Sequence, residues 1–186
     1  MNNYILIAGV NGTGKSSLRG VLEGQQVLLG HIIDADAIAK QNNYDNIKAG
    51  KKAVAEINYC LENNISFTQE TTLAGHRTEH TIKQARKQGY YITMYYVGLN
   101  SKEESLSRIA NRVRKGGHNI PTNDVIRRFD NRINSLKNVV PLCDEVIFYD
   151  NENGFVKVAE ITNNKFNYSN GYRPQWLEDF KKELSL

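Results

Sequence analysis

Gly9-Val10-Asn11-Gly12-Thr13-Gly14-Lys15-Ser16 is the stretch that decides the fold. Its spacing, Gly-x-x-x-x-Gly-Lys-Ser, is that of a P-loop, which cradles phosphate groups. The apolar residues 4–8 before it predict a buried parallel strand, and residues 17–22 after it can continue as a helix. Strand, loop and helix in this order are the context that the motif requires. We therefore prefer a P-loop over a glycine-rich turn without a ligand.

The residue types in this loop suit the binding of a nucleoside triphosphate. Glycine at positions 9, 12 and 14 allows backbone conformations that a Cβ would obstruct, so N–H groups can converge on phosphate oxygens. Lys15 is expected to reach the β- and γ-phosphates of ATP, and the Ser16 hydroxyl to ligate Mg²⁺. The predicted nucleotide-binding residues are Gly9, Asn11, Gly12, Thr13, Gly14, Lys15, Ser16 and Ser17.

Length and composition fit a single domain over residues 1–186. The chain is 40% hydrophobic, which is enough for one full core, and its net charge is +4. Such a modest charge does not favour nucleic acid as a partner. No apolar run approaches membrane-spanning length, and the first predicted strand begins too early to leave room for a signal peptide. We expect a cytoplasmic protein with reduced thiols at Cys60 and Cys143 and no membrane association.

Two predicted strand ends carry polar side chains. A second strand over residues 26–33 ends at Asp34 and Asp36, and a third over residues 65–69 is followed by Glu70 and Thr71. Ligands bind beyond the carboxyl ends of strands in open α/β sheets, so these four are candidate site residues. If Asp36 is still extended, the two aspartates point to opposite sides. The competing interpretations are a helix N-terminus for the Asp pair and an exposed strand end for Glu70.

Residues 101–138 predict a helical lid. A capping box at residues 101–104 opens a helix that carries Arg108 and Arg112 on one face. Two glycines at 116 and 117 follow, and a further helix over residues 121–136 carries Arg127 and Arg128. Arginines on two helices with a glycine hinge favour a lid that closes over phosphates. An ordinary helical hairpin with solvated arginines is an equal alternative.

The remaining elements complete an α/β pattern. Further strands are predicted over residues 90–99, 145–149 and 155–161, and residues 162–186 form a C-terminal tail. A helix after Pro174 is expected to dock on the body through Trp176, Leu177 and Phe180. The sequence thus predicts a three-layer P-loop NTPase or kinase fold with a mostly parallel sheet and a helical lid.

Together these motifs resemble the zeta toxin family over roughly residues 4 to 151. The resemblance rests on residues 9–19, the strand ends at 33–36 and 69–72, the segment 112–121 and residues 127–129. It implies a kinase that uses ATP and Mg²⁺ on the 3′-hydroxyl of UDP-N-acetylglucosamine, and an antitoxin-like protein partner. It also implies that Asp36 is the general base, that Glu70 contacts the substrate and that Arg112 is a lid arginine.

This chain departs from the toxin pattern around residues 117–119, where the toxins carry a second lid arginine. Arg127 and Arg128 are the candidates to replace it. The expected catalytic residues are then Lys15, Asp36, Arg112 and Arg128.

The leading hypothesis from the sequence is an ATP-dependent small-molecule kinase. Asp36 would deprotonate the acceptor hydroxyl, and Asp34 or Glu70 would help Ser16 to hold Mg²⁺ or its waters. A regulatory ATPase that signals through lid closure is a second hypothesis. A polynucleotide 5′-kinase is a third, although it would need an extended basic groove with stacking aromatic residues.

Overall fold

The computed structural model describes residues 1–41, 45–117 and 119–184. His118 of the glycine-rich segment therefore lies outside the described residues. In chain order the elements are β1 (Asn3–Ala8), α1 (Lys15–Gly24), β2 (His31–Asp34), α2 (Ala35–Gln41), α3 (Asn46–Glu62), β3 (Phe67–Thr71), α4 (Arg77–Lys87), β4 (Tyr91–Gly98), α5 (Lys102–Arg114), α6 (Thr122–Asp130), α7 (Arg132–Val139), a 3-10 turn (Val140–Leu142), β5 (Glu145–Asp150), β6 (Val156–Thr162), β7 (Lys165–Tyr168) and α8 (Gln175–Glu183).

Seven strands form one sheet in the order β2-β3-β1-β4-β5-β6-β7. The first five in that order are parallel, while β6 and β7 are antiparallel additions at one edge. β1 is the central strand of the parallel part, and its residues from Tyr4 to Ala8 are all buried. The carboxyl ends of β1, β2 and β3 meet at one edge of the sheet, which is where the candidate site lies.

Helices cover both faces of the sheet, as the period-two alternation of β1 requires. Tyr4 and Leu6 belong to the large core cluster that also includes residues of α2, α3, α4, α7 and α8. Ile5 and Ile7 point the other way and pack with Leu18 and other residues of the smaller cluster under α1. The predicted three-layer α/β architecture with a mostly parallel sheet is confirmed.

The structure corrects two predicted elements near the site. The second strand is shorter than residues 26–33, because Gln26 has φ 62° and Gly30 has φ 65°, both left-handed. Strand pairing begins only at His31. The helix predicted over residues 121–136 is two helices, α6 and α7, which meet at Asn131. Asp36 lies in the first turn of α2 and is therefore not extended, so the alternation of a strand does not apply to it.

The residues after 162 are more structured than a simple tail. Lys165–Tyr168 adds a seventh strand, which is too short and too exposed to give a clear period in the sequence. The predicted helix after Pro174 is present, and its residues Trp176, Leu177 and Phe180 are buried as expected. The described part of the chain has no helix both long and apolar enough to cross a membrane.

Candidate active site

The P-loop connects β1 to α1 and packs against segments that follow β4 and β5. Gly14 is the N-cap of α1 with φ 95°, and a Cβ there would lie 2.6 Å from the Asn151 side-chain nitrogen. Gly12 has φ 79°, and a Cβ there would lie 2.8 Å from the Ser105 carbonyl oxygen. Both positions therefore require glycine. The positive end of the α1 dipole lies at this loop, where it favours anions.

Lys15 is the first residue of α1, and its side chain folds back over the loop. Its Nζ donates to the carbonyl oxygens of Gly9 at 2.9 Å and Val10 at 3.2 Å. Burial lowers the pKa of the Lys15 ammonium, while the nearby Asp36 and Glu70 carboxylates act in the opposite direction. The lysine thus stands among carboxylates, at the position where a P-loop lysine meets phosphate oxygens.

Glu70 is a buried carboxylate that links β3 to α1. Its side chain is 6% exposed. One carboxylate oxygen accepts a hydrogen bond from the Ser16 hydroxyl at 2.9 Å, and the other accepts one from Arg19 Nη1 at 2.7 Å. Burial raises the pKa of Glu70, and the carboxylate of Asp34, which is in register on β2, raises it further. The Ser16 hydrogen bond and the Arg19 charge oppose this shift.

The chemistry of Ser16 and Glu70 fits Mg²⁺. A hydroxyl and a carboxylate oxygen 2.9 Å apart are hard oxygen donors of the kind that this cation prefers. Within residues 1–41, 45–117 and 119–184 there is no cluster of three or more His, Cys, Asp or Glu side chains that could hold a metal alone. Mg²⁺ in phosphotransferases usually takes one or two side chains and completes its shell with phosphates and waters, so a small donor set is sufficient.

Asp34 and Asp36 have different surroundings although they are two residues apart. Asp34 Oδ1 accepts the backbone N–H groups of Asp36 at 3.0 Å and Ala37 at 3.1 Å, which caps α2. Asp34 Oδ2 lies 3.4 Å from Arg19 Nη1. The Asp36 side chain is 63% exposed, and its Oδ2 lies 3.9 Å from Arg112 Nη1. The helix N-terminus interpretation thus describes Asp34, whereas Asp36 extends toward Arg112 of helix α5.

Two of the predicted lid arginines reach the site. Arg112 meets Asp36, and Arg128 Nη1 donates to the Asn11 side-chain oxygen at 3.0 Å. The Nε of Arg128 is buried and has no hydrogen-bond partner among the residues that the structure describes. The backbone carbonyl of Asn11 in turn accepts the Ser105 hydroxyl at 2.6 Å. Helices α5 and α6 are therefore both attached to the P-loop through Asn11.

The other arginines of this region make local contacts. Arg127 is 71% exposed and pairs with Asp124 at 2.7 Å within α6. Arg108 donates to the backbone carbonyls of Asn151 and Glu152 in the turn after β5. The predicted common face of Arg108 and Arg112 thus serves two different neighbours.

One pocket of about 240 Å³ gathers half of the candidate residues. It is lined by Asn11, Lys15, Asp34, Ala35, Asp36, Gln69, Glu70, Thr71, Thr72 and Arg128. Ser16 reaches it through Glu70, and Arg112 through Asp36. A second pocket of about 220 Å³ continues from Thr72 and Arg128 toward Arg127, Asn131 and Ser135.

The remaining candidate residues lie at the rim or in the wall of this site. Thr13 is buried and donates its hydroxyl to the Val10 carbonyl at 3.0 Å, while Ser17 is exposed in the first turn of α1. The Thr71 hydroxyl accepts the N–H of Leu73 at 3.0 Å, which orders the turn after β3.

Three residues of the site were not singled out from the sequence. Arg19 holds Glu70 and Asp34, Ser105 holds Asn11, and Asn151 Nδ2 donates to the Thr13 carbonyl at 2.8 Å. Arg19 had a usable signal, because it follows Lys15 by one helical turn and so shares its face of α1. Ser105 and Asn151 had none, since each is a common residue type far along the chain.

The strand order, the P-loop after β1 and the carboxylates at the ends of β2 and β3 together define the P-loop kinase class. Residues 2–160 match the zeta toxin family, and the chain belongs to that family. Family and fold support a nucleotide-dependent kinase.

Individual proteins are also similar to this chain in sequence or in fold. The chain is 37% identical over 133 residues to an uncharacterized protein of Haemophilus influenzae, covering 69% of this chain and 93% of that protein. Its fold is similar to the PezAT toxin-antitoxin system of Streptococcus pneumoniae, with 13% identity, a TM-score of 0.64 and coverage of 98% of this chain and 84% of that chain. It is also similar to AvrRxo1-ORF1:-ORF2 with ATP, with 12% identity, a TM-score of 0.68 and coverage of 98% and 63%. At these identities the structural likeness shows the fold alone.

Proposed function

We propose that this protein transfers the γ-phosphate of ATP to a hydroxyl group of a small molecule in a Mg²⁺-dependent reaction. The observation that carries the proposal is a single pocket that contains the P-loop lysine Lys15, the exposed carboxylate of Asp36 and the buried carboxylate of Glu70. Phosphoryl transfer needs little covalent chemistry from the protein. It depends on positioning and on charge stabilisation, and this pocket offers groups for both.

Asp36 acts as the general base in this proposal. Its exposed side chain lines the same pocket as Lys15, whereas Asp34 uses its carboxylate to cap α2 and to contact Arg19. The acceptor hydroxyl gives its proton to Asp36 as its oxygen attacks the γ-phosphorus. The bond from that phosphorus to the bridging oxygen breaks, and ADP leaves with the electron pair.

Cationic groups stabilise the transferring phosphoryl group. Lys15 exchanges the loop carbonyls that it now contacts for phosphate oxygens, and Arg112 and Arg128 approach from the lid side. Ser16, with Glu70 or Asp34, would hold Mg²⁺ or its waters. When bound, this cation neutralises charge on the β- and γ-phosphates.

A nucleotide sugar such as UDP-N-acetylglucosamine is the first acceptor to test, because the family resemblance implies it. Asp36, Glu70 and Thr71 would contact the acceptor near the reacting hydroxyl. The second pocket beyond Thr72 and Arg128 offers room for the rest of the molecule.

Two organisational proposals accompany the activity. Residues 101–138 form a lid on a single kinase domain that spans the chain, with residues 162–186 as its C-terminal part. The contacts of Arg112 with Asp36 and of Arg128 with Asn11 of the P-loop support the lid. An antitoxin-like protein partner is also proposed, and its support is the structural similarity to a toxin-antitoxin system.

The test is a transfer assay with γ-labelled ATP against nucleotide sugars, nucleosides, small sugars and a 5′-hydroxyl oligonucleotide. We expect label on one small hydroxyl acceptor, and none with Lys15→Ala, which also weakens ATP binding because it removes the P-loop cation. Phosphate release that no acceptor changes would instead indicate the regulatory ATPase. Label on the oligonucleotide would indicate a polynucleotide 5′-kinase.

A further inference from the structure

Helix α8 packs through Trp176 against the carboxyl ends of β4 and β5, next to the turn over residues 151–155 that follows β5. Trp176 is 1% exposed, and its indole Nε1 donates to Asp150 Oδ1 at 2.8 Å. Its backbone N–H donates to the Asn100 side chain at 3.2 Å. The ring lies so close to β4 that a Cβ on Gly98 would be 2.1 Å from it. Trp176 therefore has one fixed position, at the carboxyl ends of β4 and β5.

Asp150 passes this contact on to the turn. It is a carboxylate of 2% exposure at the end of β5, and its second oxygen accepts the backbone N–H of Glu152 at 3.0 Å. The Tyr172 hydroxyl lies 3.4 Å from the same oxygen. Asn100 also donates to the Glu152 carboxylate at 2.9 Å. A buried carboxylate depends on such donors, so removing one of them disturbs the others.

The first residue of this turn, Asn151, contacts the P-loop directly. Asn151 Nδ2 donates to the Thr13 carbonyl at 2.8 Å and lies against Gly14. Arg108 of α5 donates to the Asn151 and Glu152 carbonyls on the other side. The conformation of Thr13 and Gly14 is thus held from β5, one residue beyond Asp150.

We infer that Trp176 is a positioning residue for the nucleotide site, acting through Asp150 and Asn151 on the P-loop. Backbone N–H groups bind phosphate well only when the loop is held within about 0.5 Å of the productive geometry. The chain of contacts from α8 supplies that support from outside residues 2–160, the part that matches the zeta toxin family. The inference concerns nucleotide binding, so it stands or falls without any acceptor.

The experiment is a double-mutant cycle read out as ATP affinity by calorimetry. Trp176→Phe keeps a buried ring but removes the indole N–H, and Asn151→Ala removes the contact with Thr13. Each should weaken ATP binding by on the order of 5- to 10-fold, the cost of one hydrogen bond to a buried or charged group. Because both residues act through one series of contacts, their effects should not add. The double variant should bind ATP almost as well as the single variant with the larger defect.

Phe180→Leu is the matched control. Phe180 is buried on the same helix and packs on Phe148 in the apolar core. It should lower the free energy of unfolding and leave ATP affinity within twofold of wild type. ATP affinity unchanged in Trp176→Phe, effects that simply add in the cycle, or an equal loss in Phe180→Leu would each overturn the inference.

A measurement on the unaltered protein covers the case in which Trp176→Phe does not fold. Trp176 is the only tryptophan in the sequence, so tryptophan fluorescence reports on the surroundings of this one ring. We expect a saturable change on ATP addition with the calorimetric Kd, and a much smaller change in Asn151→Ala at saturating ATP. Wild-type tryptophan fluorescence that does not change when ATP binds would contradict the inference.

Discussion

Asp36 lies just after β2 and Glu70 lies on the neighbouring parallel strand β3, and both line one pocket, yet their surroundings are opposite. The Asp36 side chain is 63% exposed in the first turn of α2, with Arg112 3.9 Å away. The Glu70 side chain is 6% exposed and is shared between Ser16 and Arg19 of α1. Burial raises the pKa of Glu70.

The difference arises from where each chain segment leaves the sheet. β2 ends at Asp34, which is in register with Glu70, and the helix that starts at Ala35 carries Asp36 out of the strand plane. β3 continues to Thr71, so Glu70 stays inside the sheet edge and faces α1. One carboxylate is thereby accessible to an acceptor, while the other is fixed beside the Ser16 hydroxyl. We expect the first to take the proton of the acceptor hydroxyl and the second to bind the metal.

The largest expected effect is on the Asp36 side of the pocket, at Arg112. Arg112→Ala should lower the rate of phosphoryl transfer by about 10³- to 10⁵-fold, the range over which an arginine stabilises a transferring phosphoryl group. Single-turnover kinetics with labelled ATP measures it. Arg114→Ala is the matched control, since Arg114 lies on the same helix and is exposed. Near-normal turnover in Arg112→Ala would return that residue to the role of a solvated surface charge.

Asp36→Asn should lower transfer by about 10²- to 10⁴-fold, the usual cost of removing a general base. Because Asp36 does not touch Ser16 in this proposal, calorimetric binding of ATP with Mg²⁺ should stay at the wild-type level. Asp130→Asn, an exposed aspartate on α6 paired with Lys102, serves as the control. An Asp36→Asn enzyme that uses the identified acceptor at the wild-type rate would show that the base is another group.

The sequence could predict where Asp36 lies better than it could predict the contacts that hold Glu70. The P-loop and the two strand ends are local patterns, and their place at the carboxyl edge follows from the parallel sheet. The bonds that hold Glu70 and the loop are not local. Arg19 and Glu70 are 51 residues apart, and Asn151 and Thr13 are 138 apart. A single sequence gives no signal for such pairs, because their approach depends on how the strands order in the sheet.

Local conformation limited the prediction of β2. Residues 27–29 are apolar and predict a strand, but they form a loop that ends at Gly30, in which Val27 and Leu29 pack under α1 and Leu28 is 86% exposed. A Cβ on Gly30 would lie 2.2 Å from the Ser66 carbonyl oxygen, so the glycine marks a close approach of two chain segments. Strand β2 starts later than predicted but still ends at Asp34. The error in its start therefore did not move the two aspartates away from the carboxyl edge of the sheet.

Glu70→Gln sharpens the comparison from the metal side. The amide keeps the shape of the side chain but loses its charge, so the Mg²⁺ concentration for half-maximal activity should rise about 10- to 100-fold. Calorimetric ATP binding in the presence of a chelator should be unchanged. A smaller rise would indicate that Glu70 contacts the acceptor alone and does not hold the metal or its waters.

Arg19 should act through Glu70 and show a smaller effect of the same kind. Arg19→Met should raise the Mg²⁺ requirement by about tenfold, and Arg19→Lys should recover part of it, because the lysine restores a positive charge near Glu70. Glu23→Gln removes only the exposed partner of Arg19, 3.9 Å away, and is the matched control. Equal defects in Arg19→Lys and Arg19→Met would contradict a role in holding the carboxylate.

Asp34 carries the smallest expected effect and separates structure from chemistry at one position. Asp34→Ala removes the oxygen that caps α2, which should lower the free energy of unfolding by about 1 kcal/mol in urea titrations. Asp34→Asn keeps that oxygen, so its free energy of unfolding should fall much less. It does remove the charge beside Glu70, so the Mg²⁺ concentration for half-maximal activity should change. That change should be smaller than the one in Glu70→Gln. The same pair of substitutions at Asp45, the cap of α3, should reproduce the stability pattern without any change in Mg²⁺ dependence. If Asp34→Asn behaves like its Asp45 counterpart, Asp34 is a helix cap alone, and Ser16 and Glu70 are left as the protein ligands of the metal.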